Sequence, residues 1–115
     1  MSAPVGPYTP VVRAGDLVFV SGQLGLTPAG LVDGTAAQLQ TAISNLATLL
    51  DAHGLHLDQV VKTTVFLVDM DDYAVMNEVY CEGFGDHRPA RSAVAVAALP
   101  LGARVEIEAV VHAPA

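Results

Sequence analysis

Two stretches of the chain repeat their apolar residues at helical spacing. In the first, Leu39, Ile43, Leu46 and Leu50 fall on one face, with Gln, Thr, Ser and Asn between them. Thr35-Ala36-Ala37-Gln38 precedes them with the spacing of a capping box, and Gly54 follows at a left-handed cap position. An amphipathic helix is predicted here, apolar side on a core and polar side to water. In the second stretch Tyr73, Met76, Tyr80 and Phe84 repeat the pattern, and Gly83 and Gly85 mark its exit. Asp69, Asp71 and Asp72 sit just before it, where the helix dipole favours each carboxylate by roughly 0.3–1 kcal/mol.

The remaining apolar runs have strand character. Val11–Arg13 and Leu17–Ser21 flank the turn signal Ala14-Gly15-Asp16 and predict a hairpin. Gly22, Gly25, Pro28 and Gly30 read as a loop. Val60–Val68 is rich in β-branched residues, and its nearly continuous apolar second half suits a central strand. After the Arg88-Pro89 turn, Arg91 opens an apolar run to Leu99, and a last strand covers Ala103 to Val111. The order is strand, strand, helix, strand, helix, strand, strand, an α+β pattern whose economical solution is two helices on one face of a mixed sheet. In the last two strands Val94, Val96, Val105, Ile107, Ala109 and Val111 are assigned to one face. Ala93, Ala95, Ala97 and Val110 go to the other. Both sets are apolar, so a second subunit is expected over the open side.

Composition narrows the function. With 115 residues the chain is expected to form one domain, 1–115. Its hydrophobic fraction of 52% against 15% charged residues excludes a disordered segment and leaves apolar surface for self-association. A net charge of -7, with five scattered cations, argues against a nucleic-acid surface. Cys81 is the lone cysteine, so no disulfide framework or cysteine metal knot is expected. No run is apolar for long enough to span a bilayer, and no signal-peptide pattern opens the chain. A cytoplasmic protein without membrane contact is the expectation.

The candidate chemistry gathers at the C-terminal end. Arg91 carries a planar fork that grips a carboxylate bidentately. In the alternating strand Arg104–His112, Glu106 and Glu108 share a face, and one of them in a pocket could accept a proton or orient water. Arg91 and the glutamates are read as delivered by neighbouring strands, an arrangement that suits a small anionic substrate and an aimed water. The plainer reading makes all three solvated surface charges. Ser92 has no histidine placed to activate it, and His53 and His56 have no third partner for a metal. No glycine-rich phosphate motif is present.

Taken together, Gly6-Pro7-Tyr8, Leu17–Gln23, Val60–Leu67, Asn77 with Tyr80, Pro89-Ala90-Arg91-Ser92 and Val105–Ala109 resemble the RidA/YjgF imine deaminases. That family is also known as the L-PSP endoribonuclease-like group. The resemblance spans nearly the whole chain. It implies a chorismate-mutase-like fold, a homotrimer with clefts between subunits, and hydrolysis of enamines and imines such as 2-aminoacrylate or 2-iminobutanoate to 2-keto acids and ammonium. It further implies that Arg91 clamps the substrate carboxylate, that Glu108 positions the attacking water, and that Tyr8 and Ser21-Gly22 wall the cleft. Active members often carry Cys directly after the Arg-Ser pair, where this chain has Ala93, and the segment Gly85–Arg88 is short for the family. No cofactor or metal is required, because an iminium carbon is already electrophilic and needs only a held acid group and one aimed water. The alternatives are a non-catalytic carboxylate-binding or chaperone-like trimer, which Ala93 slightly favours, and a ribonuclease, which the acidic charge opposes.

Overall fold

Helix α1, Thr35–Asp51, buries Leu39, Ile43, Leu46 and Leu50, the apolar stripe that predicted it. Helix α2, Tyr73–Phe84, buries Met76, Tyr80 and Phe84 and leaves Tyr73 exposed at its first turn. The computed structural model describes residues 6–114. Its strands are β1 (Val11–Ala14), β2 (Leu17–Gln23), a short pair β3 (Leu26–Thr27) and β4 (Gly30–Leu31), then β5 (Val60–Leu67), β6 (Ala90–Ala95) and β7 (Val105–His112).

Five strands form one sheet in the order β1-β2-β7-β5-β6. Only β5 and β6 run parallel; the other pairs are antiparallel. Both helices pack on one face. Beneath them Val18, Val20, Val65, Leu67, Val105, Ile107, Ala109 and Val111 alternate into the core as the strand period requires. The opposite face stays open, and Val12, Leu17, Phe19 and Val94 are exposed on or beside it, Phe19 at 45%.

Three local expectations change. The stretch after Gly22 is not a plain loop: β3 and β4 form a small hairpin over the polar side of α1, and Asn45 Nδ2 donates to the Leu24 and Leu26 carbonyls at 3.1 and 2.9 Å. That side of α1 is therefore partly covered rather than given to water. Gly25 makes this approach possible, since a Cβ there would stand 2.5 Å from the Gln38 Cα. The capping box does not form. Thr35 Oγ1 donates to Asp72 Oδ2 (2.7 Å), and Gln38 is spent on the Val32 carbonyl and the Arg104 amide, because tertiary partners outbid the local ones. Finally, β6 pairs with β5 and not with β7, so β5 sets its register. Val94 stands opposite Phe66, itself opposite Glu106, and belongs to the open face; Ala93 stands opposite Val65 and packs on the core. The face assignment of Val94 with Val105 and Ile107 is thereby reversed.

Candidate active site

A bulge in β2 builds a broad concavity. Val20 pairs with Ala109 and Gln23 with Ile107, so Ser21 and Gly22 together oppose the single residue Glu108. The bulge opens an open-sided groove of about 1040 Å³ between β2, the β3–β4 hairpin and α1. Tyr8, Ser21, Gly22, Gln23, Asn45 and Glu106 supply its polar and aromatic lining together with Thr41, Ser44 and Thr48.

Glu106 is the carboxylate of this groove. Its side chain lies across Gly22: a Cβ on residue 22 would clash with Oε2 and sit 2.6 Å from Cδ and 2.9 Å from Cγ. Burial is the main cause that pushes its carboxyl above the usual range, and the charge of Glu108 adds to it. Beside it the Ser21 hydroxyl is buried and has no hydrogen-bond partner among the described residues. Buried polar atoms are nearly always paired, so this unpaired one, on a residue that lines the groove, stands out.

Arg91 sits elsewhere. Its register partner Thr63 faces the helices and is fully buried, so Arg91 too points to the helix side of the sheet. Its Nη2 donates to the Tyr73 hydroxyl (3.2 Å) and its Nη1 to Met76 Sδ (3.5 Å), and the guanidinium lies over the rings of Tyr80 (4.9 Å) and Tyr73 (5.7 Å). The Tyr80 hydroxyl in turn pairs with Thr63 Oγ1 at 2.7 Å.

The expectation that Arg91 and the glutamates come from neighbouring strands is therefore corrected. β5 lies between β6 and β7. Glu108 stands opposite Thr64, which stands opposite Ser92, and Glu106 stands opposite Phe66; all five belong to the open face, opposite to Arg91. Glu108 is exposed and does not line the groove, whereas Glu106 does. Tyr8, Ser21 and Gly22 are brought together there as expected, without Arg91. Ala93 lies two positions along β6 from Arg91, half-buried against the core. Of the two glutamates offered by the alternating strand, the groove encloses Glu106, whereas the resemblance pointed to Glu108. The available signal was Gly22, which fixes where a side chain from the adjacent strand can lie. Ser92 accepts a hydrogen bond from Lys62 Nζ (2.6 Å), and His87 pairs with the Val60 carbonyl (2.7 Å). No group of three or more His, Cys, Asp or Glu among the described residues is placed to hold a metal, and no described helix is long and apolar enough to cross a membrane.

Comparison with known proteins fits this architecture. Residues 1–113 match the model of the endoribonuclease L-PSP family, and the chain belongs to that family, which includes the RidA/YjgF proteins. It is 43% identical over 111 residues to mouse 2-iminobutanoate/2-iminopropanoate deaminase, a match covering 94% of this chain and 82% of that one. RidA from an Antarctic Psychrobacter species superposes with a TM-score of 0.91 at 43% identity, covering 96% of this chain and 91% of the other. TdcF of Escherichia coli, crystallised with bound serine, superposes with a TM-score of 0.88 at 36% identity, covering 95% and 90%.

Proposed function

We propose that the protein hydrolyses small 2-imino acids and their enamine tautomers, such as 2-iminobutanoate and 2-aminoacrylate, to 2-keto acids and ammonium, in a site completed between copies of the chain. The observation that carries the reading is Glu106, a half-buried carboxylate laid over Gly22 beside the unpaired Ser21 hydroxyl. The mouse relative supports the reaction class by its name, and the serine held by TdcF supports a small amino-acid-like ligand.

In this mechanism Glu106, and not Glu108, aims the water. The water oxygen adds to the imine carbon while Glu106 takes its proton. That proton passes to nitrogen to give the carbinolamine. Glu106 then relays the carbinolamine hydroxyl proton to the amino nitrogen as the C=O bond forms and the C–N bond breaks, leaving the keto acid and ammonia, which takes up a proton from water to become ammonium. Ser21 Oγ offers a hydrogen bond to the water or to the imine nitrogen. Arg91 holds the substrate carboxylate. Because it faces the helices of its own subunit from edge strand β6, it reaches this groove from a neighbouring copy. The open sheet face, with Phe19 and Val94 exposed, supplies apolar surface for that assembly, which we take as a homotrimer.

The groove's own lining carries no Lys or Arg, and with a net charge of -7 the chain offers a ribonucleic acid backbone no basic track beyond the single Arg91, which disfavours the ribonuclease reading. The test is 2-keto acid release from 2-iminobutanoate generated in situ, above the uncatalysed rate. Wild type should accelerate release, and Glu106→Gln should lose most of the acceleration while still binding a 2-keto acid. Wild type at the uncatalysed rate refutes the activity.

A further inference from the structure

We propose that Tyr73 is a positioning residue that acts through Arg91: its hydroxyl fixes the plane of the guanidinium on the Tyr80 ring before any substrate arrives. The inference rests on the carboxylate-clamp role given to Arg91 above. It goes further in assigning a task to the first turn of α2, which no part of that role requires.

A free arginine side chain samples many rotamers and loses that freedom when it binds. Here the loss is met in advance from three sides. The Tyr80 ring is 3% exposed and cannot move, since its hydroxyl is tied to the fully buried Thr63. Burial raises the Tyr80 phenol above its usual range, so the ring stays a neutral platform under the cation. Met76, buried one turn along, takes Nη1 through its sulfur. The Tyr80 ring sets the height of the guanidinium, and Met76 holds one of its two terminal nitrogens. The Tyr73 hydroxyl, accepting from Nη2 at 3.2 Å, holds the other, and as an oxygen acceptor it is a stronger partner for the cation than the thioether sulfur. Two of the five N–H donors of the fork are thus engaged on the helix side, and the other three stay free for an acid group. Helical spacing puts Tyr73, Met76 and Tyr80 on one stripe, so α2 presents the whole cradle as a rigid unit. Tyr73 is the exposed member, which makes it the one that can be altered without disturbing the core.

The test compares wild type with Tyr73→Phe, which keeps the ring and loses only the hydroxyl, and uses Arg91→Ala as the control. An interaction that holds substrate and transition state equally appears in KM. Tyr73→Phe should therefore raise KM for a 2-imino acid about 10-fold, with kcat within about two-fold of wild type. It should weaken competitive inhibition by a 2-keto acid by the same factor. The Arg91 Nε–H resonance, assigned by its loss in Arg91→Ala, should be sharp in wild type and broadened in Tyr73→Phe. An unchanged resonance with an unchanged KM overturns the proposal, as does a fall in kcat at constant KM. Arg91→Ala turning over at the wild-type rate sinks the clamp itself instead, and the resonance then still decides whether Tyr73 orders the guanidinium.

Discussion

Glu106 lies across Gly22 so closely that no side chain fits beneath it. The bulge at Ser21-Gly22 and the carboxylate of β7 therefore form one device, with the missing Cβ setting where the acid group rests. Gly22→Ala should push the carboxylate out of its position while leaving the sheet intact. The expected result is a loss of about 10²-fold in kcat for imine hydrolysis with a small change in thermal stability. Wild-type turnover in Gly22→Ala would show that the placement of Glu106 does not matter.

The pH dependence follows from the same carboxylate. Burial and then the charge of Glu108 hold the Glu106 pKa above its usual range. Its working, ionised form is thus lost at a higher pH than for an ordinary glutamate, and kcat/KM should fall on the acid side accordingly. Glu108→Gln removes the second cause and should shift that acid limb to lower pH while activity is retained. For stability, a carboxyl whose folded pKa is raised favours the folded state most below its unfolded pKa. That contribution is lost as pH rises through the folded value. Glu106→Gln should accordingly raise the melting temperature at neutral pH and show no such gain in acid. Matched pH–rate and pH–melting profiles of the three proteins check both statements.

Most of the frame was legible in the chain. The stripes Leu39–Leu50 and Met76–Phe84 specify two helices because only one face of each can be buried, and the alternation through β7 specifies a half-covered strand. What periodicity could not give was strand order. Nothing local in Arg91–Ala95 says that β5, some 30 residues earlier, inserts between β6 and β7, yet that insertion puts Arg91 and Glu106 on opposite faces. Which of Glu106 and Glu108 the groove encloses was hidden for the same reason. They share a face, and only the bulge opposite them decides which one is enclosed. The capping box at Thr35 misled because Asp72 and Arg104, distant in sequence, compete for the same side chains.

That competition yields a stability prediction. Asp72 accepts from Thr35 and from Arg104 Nη2 (3.0 Å), and Arg104 Nε donates to Thr35 at 2.9 Å, so one cluster ties the starts of α1, α2 and β7. The hydrogen bond from Thr35, then that from Arg104, holds the Asp72 carboxyl below its usual range. The stabilisation is therefore present above the unfolded pKa and lost as pH falls through the folded one. Arg104 is 43% exposed, so solvent screens the ion pair. Asp72→Asn should cost about 1 kcal/mol at neutral pH in denaturant unfolding at fixed protein concentration. The difference should close in acid, while imine hydrolysis at 25 °C stays near wild type.

The placement of Arg91 and Glu106 makes a sharper demand. Arg91 and Glu106 point to opposite faces of one sheet, with β5 between their strands, so the two side chains do not meet within a single chain. If the site is shared between copies, Arg91→Ala and Glu106→Gln should each be inactive alone, yet complement one another when unfolded together and refolded as a mixture. In a cyclic trimer with random mixing, each site draws Arg91 from one protomer and Glu106 from the next, so about one quarter of sites would hold both native residues. Recovery near that fraction of wild-type activity is the expected result. A mixture as inactive as its parents, with mixed assemblies confirmed by native mass spectrometry, would place both residues in a site drawn from one chain, and the shared groove would have to be abandoned.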